Sequence, residues 1–286
     1  MKLSQVKHKL LTKEIVITLK NNNVATVKEF LSNNPLILNE KCNLLTFDSI
    51  FQLRSDLARA YGPPPILQEN PNESITTNLL DLKKNYIYEI FGPPGAGKTQ
   101  FCLTMAAEVA NKFGHVLYVD TKNDFSSNRL KSILRNNEDM KNVHLAKAFD
   151  LNQAIKLTNE IATHKHANIS PKLLVLDNIA NLIWPLIEDD DFSMMELFLP
   201  IGKLIRNLRK IARDFQLPVV IVNNTIERGT RPALGKFFER VADVRLRISD
   251  QQIVAHKSVD NLSDLKFNVV VTEKGMVKID NNEYYE

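Results

Sequence analysis

Eight residues, Gly92-Pro93-Pro94-Gly95-Ala96-Gly97-Lys98-Thr99, carry glycine, lysine and threonine at the GxxxxGK[ST] spacing, the chemistry of a phosphate cradle. The glycines let the chain curl so that successive N–H groups face phosphate oxygens, and a helix opening at the loop adds its positive end. Lys98 would reach the β- and γ-phosphates, and the Thr99 hydroxyl would hold magnesium. The expected ligands are therefore ATP and Mg2+.

A second half of such a site is legible downstream. Leu173-Leu174-Val175-Leu176-Asp177 is an apolar run ending in an acid, which would set the Asp177 carboxylate beside the metal that Thr99 holds. Asn223-Asn224 closes a later apolar run, where an amide, Asn224 in particular, could sense the γ-phosphate; two asparagines are equally a turn signal. His164-Lys165-His166 has no further ligands nearby and reads as a polar loop.

These residues need strands and helices to hold them, and the pattern supplies both. Strand-sized apolar runs at Tyr86 to Phe91, Val116 to Val119, Val143 to Leu145, Leu173 to Leu176 and Pro218 to Val222 alternate with helical stretches, predicting a mostly parallel sheet with helices on both faces. After Asp243 short strands crowd together, at Val244 to Ile248, Ile253 to His256 and Phe267 to Val271, as antiparallel edge pairs do. Before Tyr61 the chain reads as short helices, Leu11 to Leu19, Val24 to Leu31 and Phe47 to Ala60, broken at Asn21-Asn22-Asn23 and Asn33-Asn34-Pro35. The expected organisation is a helical domain over 1–61, a Pro/Asn-rich linker over 62–78 and an α/β core over 79–286. The helix before Pro218 sets Leu204, Leu208, Ile211 and Ala212 against Lys203, Arg206, Arg209, Lys210 and Arg213, an apolar face and a basic one.

Composition narrows the class. With 286 residues, 44% of them hydrophobic, the chain can bury a large core. No apolar run approaches a membrane span and none follows the basic N-terminus, so no membrane or secretory role is expected. Cys42 and Cys102 are the only cysteines and form no framework, which fits a reducing compartment, nucleus or cytosol. A net charge of +4 permits an anionic partner without demanding one.

Several segments together go beyond a generic phosphate loop. Gly95 to Gln100, Leu117 to Thr121, Leu174 to Asn178 and Ala212 to Phe215 leading to Asn223 resemble the RecA/RadA recombinase family in its eukaryotic form. Leu11 to Ile15, Ala148 to Asp150 and Arg231 to Gly235 resemble the D-type paralogues of the Rad fifty-one recombinase. The resemblance implies a RecA-like P-loop ATPase core with an all-helical N-terminal domain. It also implies nucleotide contacts from Gln100 and from Arg129, whose guanidinium would stack on the adenine ring. DNA contact would fall on the segment from Asn223 to about Val241, which carries Arg228, Arg231, Lys236 and Arg240. The other DNA-facing segment of the family, here about Trp184 to Leu199, contains Glu188-Asp189-Asp190-Asp191 and would repel phosphates.

Two departures shape the functional expectation. Lys122 stands where the family has its water-activating glutamate, and an ammonium cannot act as that base. The stretch from Tyr61 to Asn78 has no phenylalanine, hence no Phe-x-x-Ala polymerisation segment and no expected homofilament. The implied role is an ATP-binding recombination accessory factor in DNA repair, with weak ATP hydrolysis at most, on single-stranded or branched DNA within a heteromer of recombinase paralogues in the nucleus. A complete strand-exchange ATPase would need the missing glutamate. A small-molecule kinase would need an arginine-bearing lid in place of the basic loop, and a scaffold whose nucleotide is structural fits the same residues.

Overall fold

A computed structural model describes residues 1–33, 35–61, 73–163, 169–187, 194–226, 231–233, 241–258 and 265–279. The chain divides into two compact units, Met1–Pro71 and Asn72–Glu286.

The first unit holds α1 (Lys13–Asn21), α2 (Val27–Ser32), α3 (Pro35–Lys41) and α4 (Phe47–Tyr61). Hydroxyl caps set the helix starts. Thr12 accepts from the Ile15 N–H, and Thr26 and Glu29 form a reciprocal capping box. The first two helices therefore begin two to three residues later than apolar spacing alone predicts. The Asn33-Asn34-Pro35 break conceals a helix: α3 starts at Pro35, a residue preset for a first helical turn. Leu3, Leu19, Phe30, Leu38, Ile50 and Leu53 close a buried core of this unit, and Arg54 donates to the carbonyls of Phe30, Leu31 and Asn33 at the end of α2.

The second unit opens with a short antiparallel pair, β1 (Ser74–Thr76) and β2 (Asp81–Lys83). Residues 74–76 thus belong to a strand of this unit, a correction to the linker expected over 62–78; residues 62–72 lie outside the described residues. Then follow β3 (Ile87–Phe91), α5 (Lys98–Lys112), β4 (Val116–Asp120), α6 (Ser127–Ile133), β5 (Val143–Lys147), α7 (Leu151–Ala162), β6 (Leu173–Asp177), α8 (Ile179–Ile187), α9 (Met194–Asp214) and β7 (Val219–Asn223). A two-residue pair, β8 (Thr225–Ile226) and β9 (Arg231–Pro232), precedes β10 (Val244–Ser249), β11 (Gln252–Ser258), β12 (Lys266–Thr272) and β13 (Gly275–Ile279).

Among the described residues one sheet has the order β13-β12-β11-β10-β3-β7-β6-β4-β5. It is parallel from β10 through β5 and antiparallel from β10 to β13. This is the expected RecA-like α/β core with an antiparallel edge, extended by β13, which the apolar pattern does not mark. Alternation explains the layers. Tyr88, Ile90, Val175, Val220 and Val222 join the cluster containing α5, whereas Ile87, Leu174, Leu176, Val219 and Ile221 join the cluster of α7, α8 and α9. Strands covered on both faces must be apolar throughout.

A polar pair interrupts that pattern within the strands. Glu89, fully buried on β3, accepts from Arg245 Nε on β10 and from Asn223 Nδ2 at the end of β7 at 2.6 Å. Three strands are thereby tied by one carboxylate. Replacing Glu89 with alanine strands the Arg245 guanidinium in the core and is expected to cost about 3–5 kcal/mol, read as a drop in urea midpoint at unchanged slope. A variant within about 1 kcal/mol of the parent would show that the pair contributes little.

Candidate nucleotide site

The site lies where β3, β4, β6 and β7 end. The Gly92–Thr99 turn joins β3 to α5 with its loop geometry fixed by neighbours: a Cβ on Gly92 would sit 2.0 Å from the Ile248 carbonyl oxygen. Gly97 caps α5 at φ 92, a backbone region that costs other residues energy. The first N–H groups of α5 lack intrahelical partners by construction and face the turn. Lys98 Nζ donates to the carbonyls of Gly92 and Pro93 at 2.7 and 2.9 Å.

Asp177 ends β6 opposite this turn. Its Oδ2 accepts from Thr99 Oγ1 at 2.8 Å and from the Tyr118 phenol at 2.9 Å. Its Oδ1 is buried and, among the described residues, has no hydrogen-bond partner. Burial pushes the carboxyl up, while bonds from Thr99 and Tyr118 and the nearby Lys122 charge pull it back. A hydroxyl beside an unsatisfied carboxylate oxygen is a hard-oxygen donor set suited to a divalent cation such as Mg2+.

Asp120 organises the loop after β4. Its carboxylate accepts the N–H groups of Lys122, Asn123 and Phe125 at 3.0, 2.9 and 3.2 Å, so the backbone that carries Lys122 is held. A cavity of about 400 Å³ results, lined by Pro94, Gly95, Gly97, Lys98, Thr99, Gln100, Lys122, Asp124 and Asn224. Lys122 Nζ lies 3.9 Å from Asp124. Asn224 Oδ1 accepts from Asn178 Nδ2 at 2.9 Å, which fixes its amide at the cavity wall.

Most sequence-assigned residues converge here. Gly92, Gly95, Gly97, Lys98, Thr99, Gln100, Asp177, Lys122 and Asn224 surround or support one cavity, with Pro93 and Ala96 shaping the turn through the Ala96 N–H bond to the Pro93 carbonyl. Arg129 donates to Gln100 Oε1 at 2.8 Å and to the Thr272 and Glu273 carbonyls at 2.6 Å, tying the β12–β13 turn to α5. Of the basic DNA candidates, Arg231 is exposed on β9. Arg228, Lys236 and Arg240 lie outside the described residues, as do Glu188 to Asp191 and His164 to His166. Sequence reasoning misses Tyr118 and Asn178 as partners of site residues; Tyr118 has the strand alternation of Asp120, which is the signal that could have found it.

The arrangement is that of an α/β protein built on a RecA-like sheet. Comparison with known proteins gives the family: the Rad51 family matches residues 78–280, and the chain belongs to it. A bovine "DNA repair protein RAD51 homolog 4" is 26% identical over 275 residues, 85% of this chain and 83% of that protein. "DNA repair and recombination protein RadB" from Methanocaldococcus jannaschii is 29% identical over 211 residues, 71% of this chain and 97% of its own length. A Methanobrevibacter smithii RadB is 34% identical over 162 residues, 54% of this chain and 66% of that protein.

Burial, reinforced by the Lys122 charge, holds the Lys98 ammonium at about 8, down from 10.5. Between those values the unfolded chain binds the proton that the native chain has released, so this residue's contribution makes stability rise with pH across that window. In magnesium-free buffer Lys98→Met is expected to be more stable than wild type at pH 7 by up to about 3 kcal/mol, with the gap closing toward pH 10. Urea unfolding at both ends of the window checks it; a gap that widens with pH contradicts this electrostatic account.

Proposed function

We propose that this chain is an ATP-binding recombinase paralogue of the D type, acting in homologous-recombination DNA repair in the nucleus as one subunit of a heteromer. The observation that carries the reading is the single cavity where Lys98, Thr99, Lys122 and Asn224 converge beside Asp177, within a chain of the Rad51 family. Lys98 would bind the β- and γ-phosphates in exchange for its two carbonyl partners, and the α5 N–H groups would cradle the remaining oxygens. Thr99 and Asp177 would hold magnesium, which supplies charge neutralisation between the phosphates. Gln100 and Arg129 would border the nucleoside.

Lys122 decides the kind of activity. An ammonium has no lone pair with which to take a proton from water, while a cation at this position would favour γ-phosphate charge. ATP then serves as a conformational or assembly ligand, and hydrolysis is slow. The basic segment that follows Asn224 is connected to this site at its root: Asn223 Nδ2 donates to the Ala233 carbonyl at 2.6 Å, and the Ala233 N–H to the Asn224 carbonyl at 2.7 Å. Those bonds support a link between γ-phosphate sensing at Asn224 and single-strand contact by Arg228, Arg231, Lys236 and Arg240. Heteromeric assembly is supported by β5, the sheet's outer strand, with Leu145 exposed beside an apolar cavity of about 310 Å³ that includes Leu157, Ile161 and Phe215.

Lys98→Ala is expected to lose most affinity for a fluorescent ATP analogue in magnesium, and equal titration curves for mutant and wild type would remove the nucleotide assignment. In single-turnover hydrolysis the wild type is expected to be slow and Lys122→Glu faster. A wild-type rate that Lys122→Glu lowers would place the water-activating group elsewhere.

The four basic residues are tested by salt. Replacing all four with alanine is expected to weaken single-stranded DNA binding and to flatten the log–log salt slope by about 0.7 for each phosphate no longer neutralised. Unchanged affinity and slope in a variant with a normal melting curve would exclude this segment as the DNA surface.

A further inference from the structure

We infer that Tyr118 is a positioning residue for the metal: its phenol holds the Asp177 carboxylate in the rotation that leaves Oδ1 free for magnesium or for a water on magnesium. The inference rests on the reading of the Gly92–Thr99 cavity as a magnesium–nucleotide site.

The two oxygens of Asp177 are treated unequally. Oδ2 receives two bonds, from Thr99 Oγ1 and from the Tyr118 phenol, and Oδ1 receives none among the described residues although it is buried. A hydroxyl has a single proton. Thr99 commits its proton to Asp177, so lone pairs are what it can offer a cation. A carboxylate held by one hydroxyl can still turn about its Cβ–Cγ bond and present either oxygen. The second donor, from a different strand, removes that freedom and makes Oδ1 the open oxygen.

Tyr118 is built for this task beyond filling space. It is 1% exposed in the core under α5, where a phenylalanine would fill nearly the same volume without a hydroxyl to satisfy. Its ring meets Phe125 edge-on, with centroids 4.9 Å apart, and the Phe125 N–H is bonded to Asp120. The same Asp120 carboxylate holds the Lys122 backbone. Tyr118 therefore joins the metal-bearing carboxylate to the loop that aims the cation at the γ-phosphate.

The test is the magnesium dependence of fluorescent ATP-analogue affinity, measured on the full chain for wild type and Tyr118→Phe. Without metal, in EDTA, the two should bind equally, which also reports that the variant is folded. The magnesium concentration for half-maximal gain in affinity should rise about 10- to 100-fold in Tyr118→Phe, as when other groups that orient a metal ligand are removed. In an Asp177→Asn background the same change should have no further effect. Equal magnesium demand in wild type and Tyr118→Phe, a parallel loss of affinity in EDTA, or full additivity with Asp177→Asn would each overturn the inference. If instead Lys98→Ala binds like wild type, the nucleotide reading itself has failed.

Discussion

The constraint on which the site depends is the burial of the Asp177 carboxylate, 1% exposed at the end of an otherwise apolar strand. An ionised group in such a place is tolerated only with hydrogen bonds or a counter-charge. Its bonds come from two directions in sequence, Thr99 at the start of α5 and Tyr118 on β4, so the phosphate turn and the central strands must arrive in register for the core to close. The parallel pairing of β4 with β6, which sets Asp120 opposite Asp177, provides that register. The Thr121 N–H then bonds to the Asp177 carbonyl and its hydroxyl to the Asn178 carbonyl, each at 2.8 Å. The register that closes the sheet is the register that brings the site residues together.

What can be read in the sequence follows from how local each signal is. The Gly92–Thr99 turn is contiguous, and its geometry is dictated by residue types. Strands β3, β6 and β7 declare themselves because both faces are covered, so nearly every position is apolar. The acid at the end of β6 is equally legible, since a charge closing such a run has few explanations. The helical starts are less so: an apolar period locates a face, whereas Thr12 and Thr26 locate an end, and capping outweighs the period there.

The rest is hidden because it depends on long-range partners. β1 is three residues long and buries one side chain, Ile75; its strand character comes from pairing with β2, and nothing in Asn-, Ser- and Thr-rich local sequence announces that. β13 begins at Gly275, which packs where a Cβ would meet the Thr104 hydroxyl at 2.7 Å, a contact between residues far apart in the chain. The family resemblance assigns Arg129 to the nucleotide; that its donors are engaged by Gln100 and by carbonyls of the β12–β13 turn is something no spacing rule could forecast. Likewise, the basic face of α9 is partly consumed internally: Arg209 pairs with Asp243, and Lys210 and Arg213 with Asp214.

Lys122 adds a second cation to the cavity that Lys98 lines. Two ammonium groups share a cavity with Asp177 behind them, and Lys98 is held down both by burial and by Lys122. Without an anion this is an unfavourable arrangement: the Lys98 ammonium can do no better than bond to the carbonyls of its own loop. On the proposed reading, a bound triphosphate would supply the missing charge at both cations at once, whereas a diphosphate would lack the group nearest Lys122. Electrostatics would then favour the uncleaved nucleotide over its product, the reverse of what rapid turnover requires, because an enzyme gains rate only from interactions stronger in the transition state than in the ground state. The Asn178–Asn224 bond at the cavity wall and the Asn223 and Asn224 bonds to Ala233 would give that occupancy a route toward the segment after Asn224 without any chemistry having to occur.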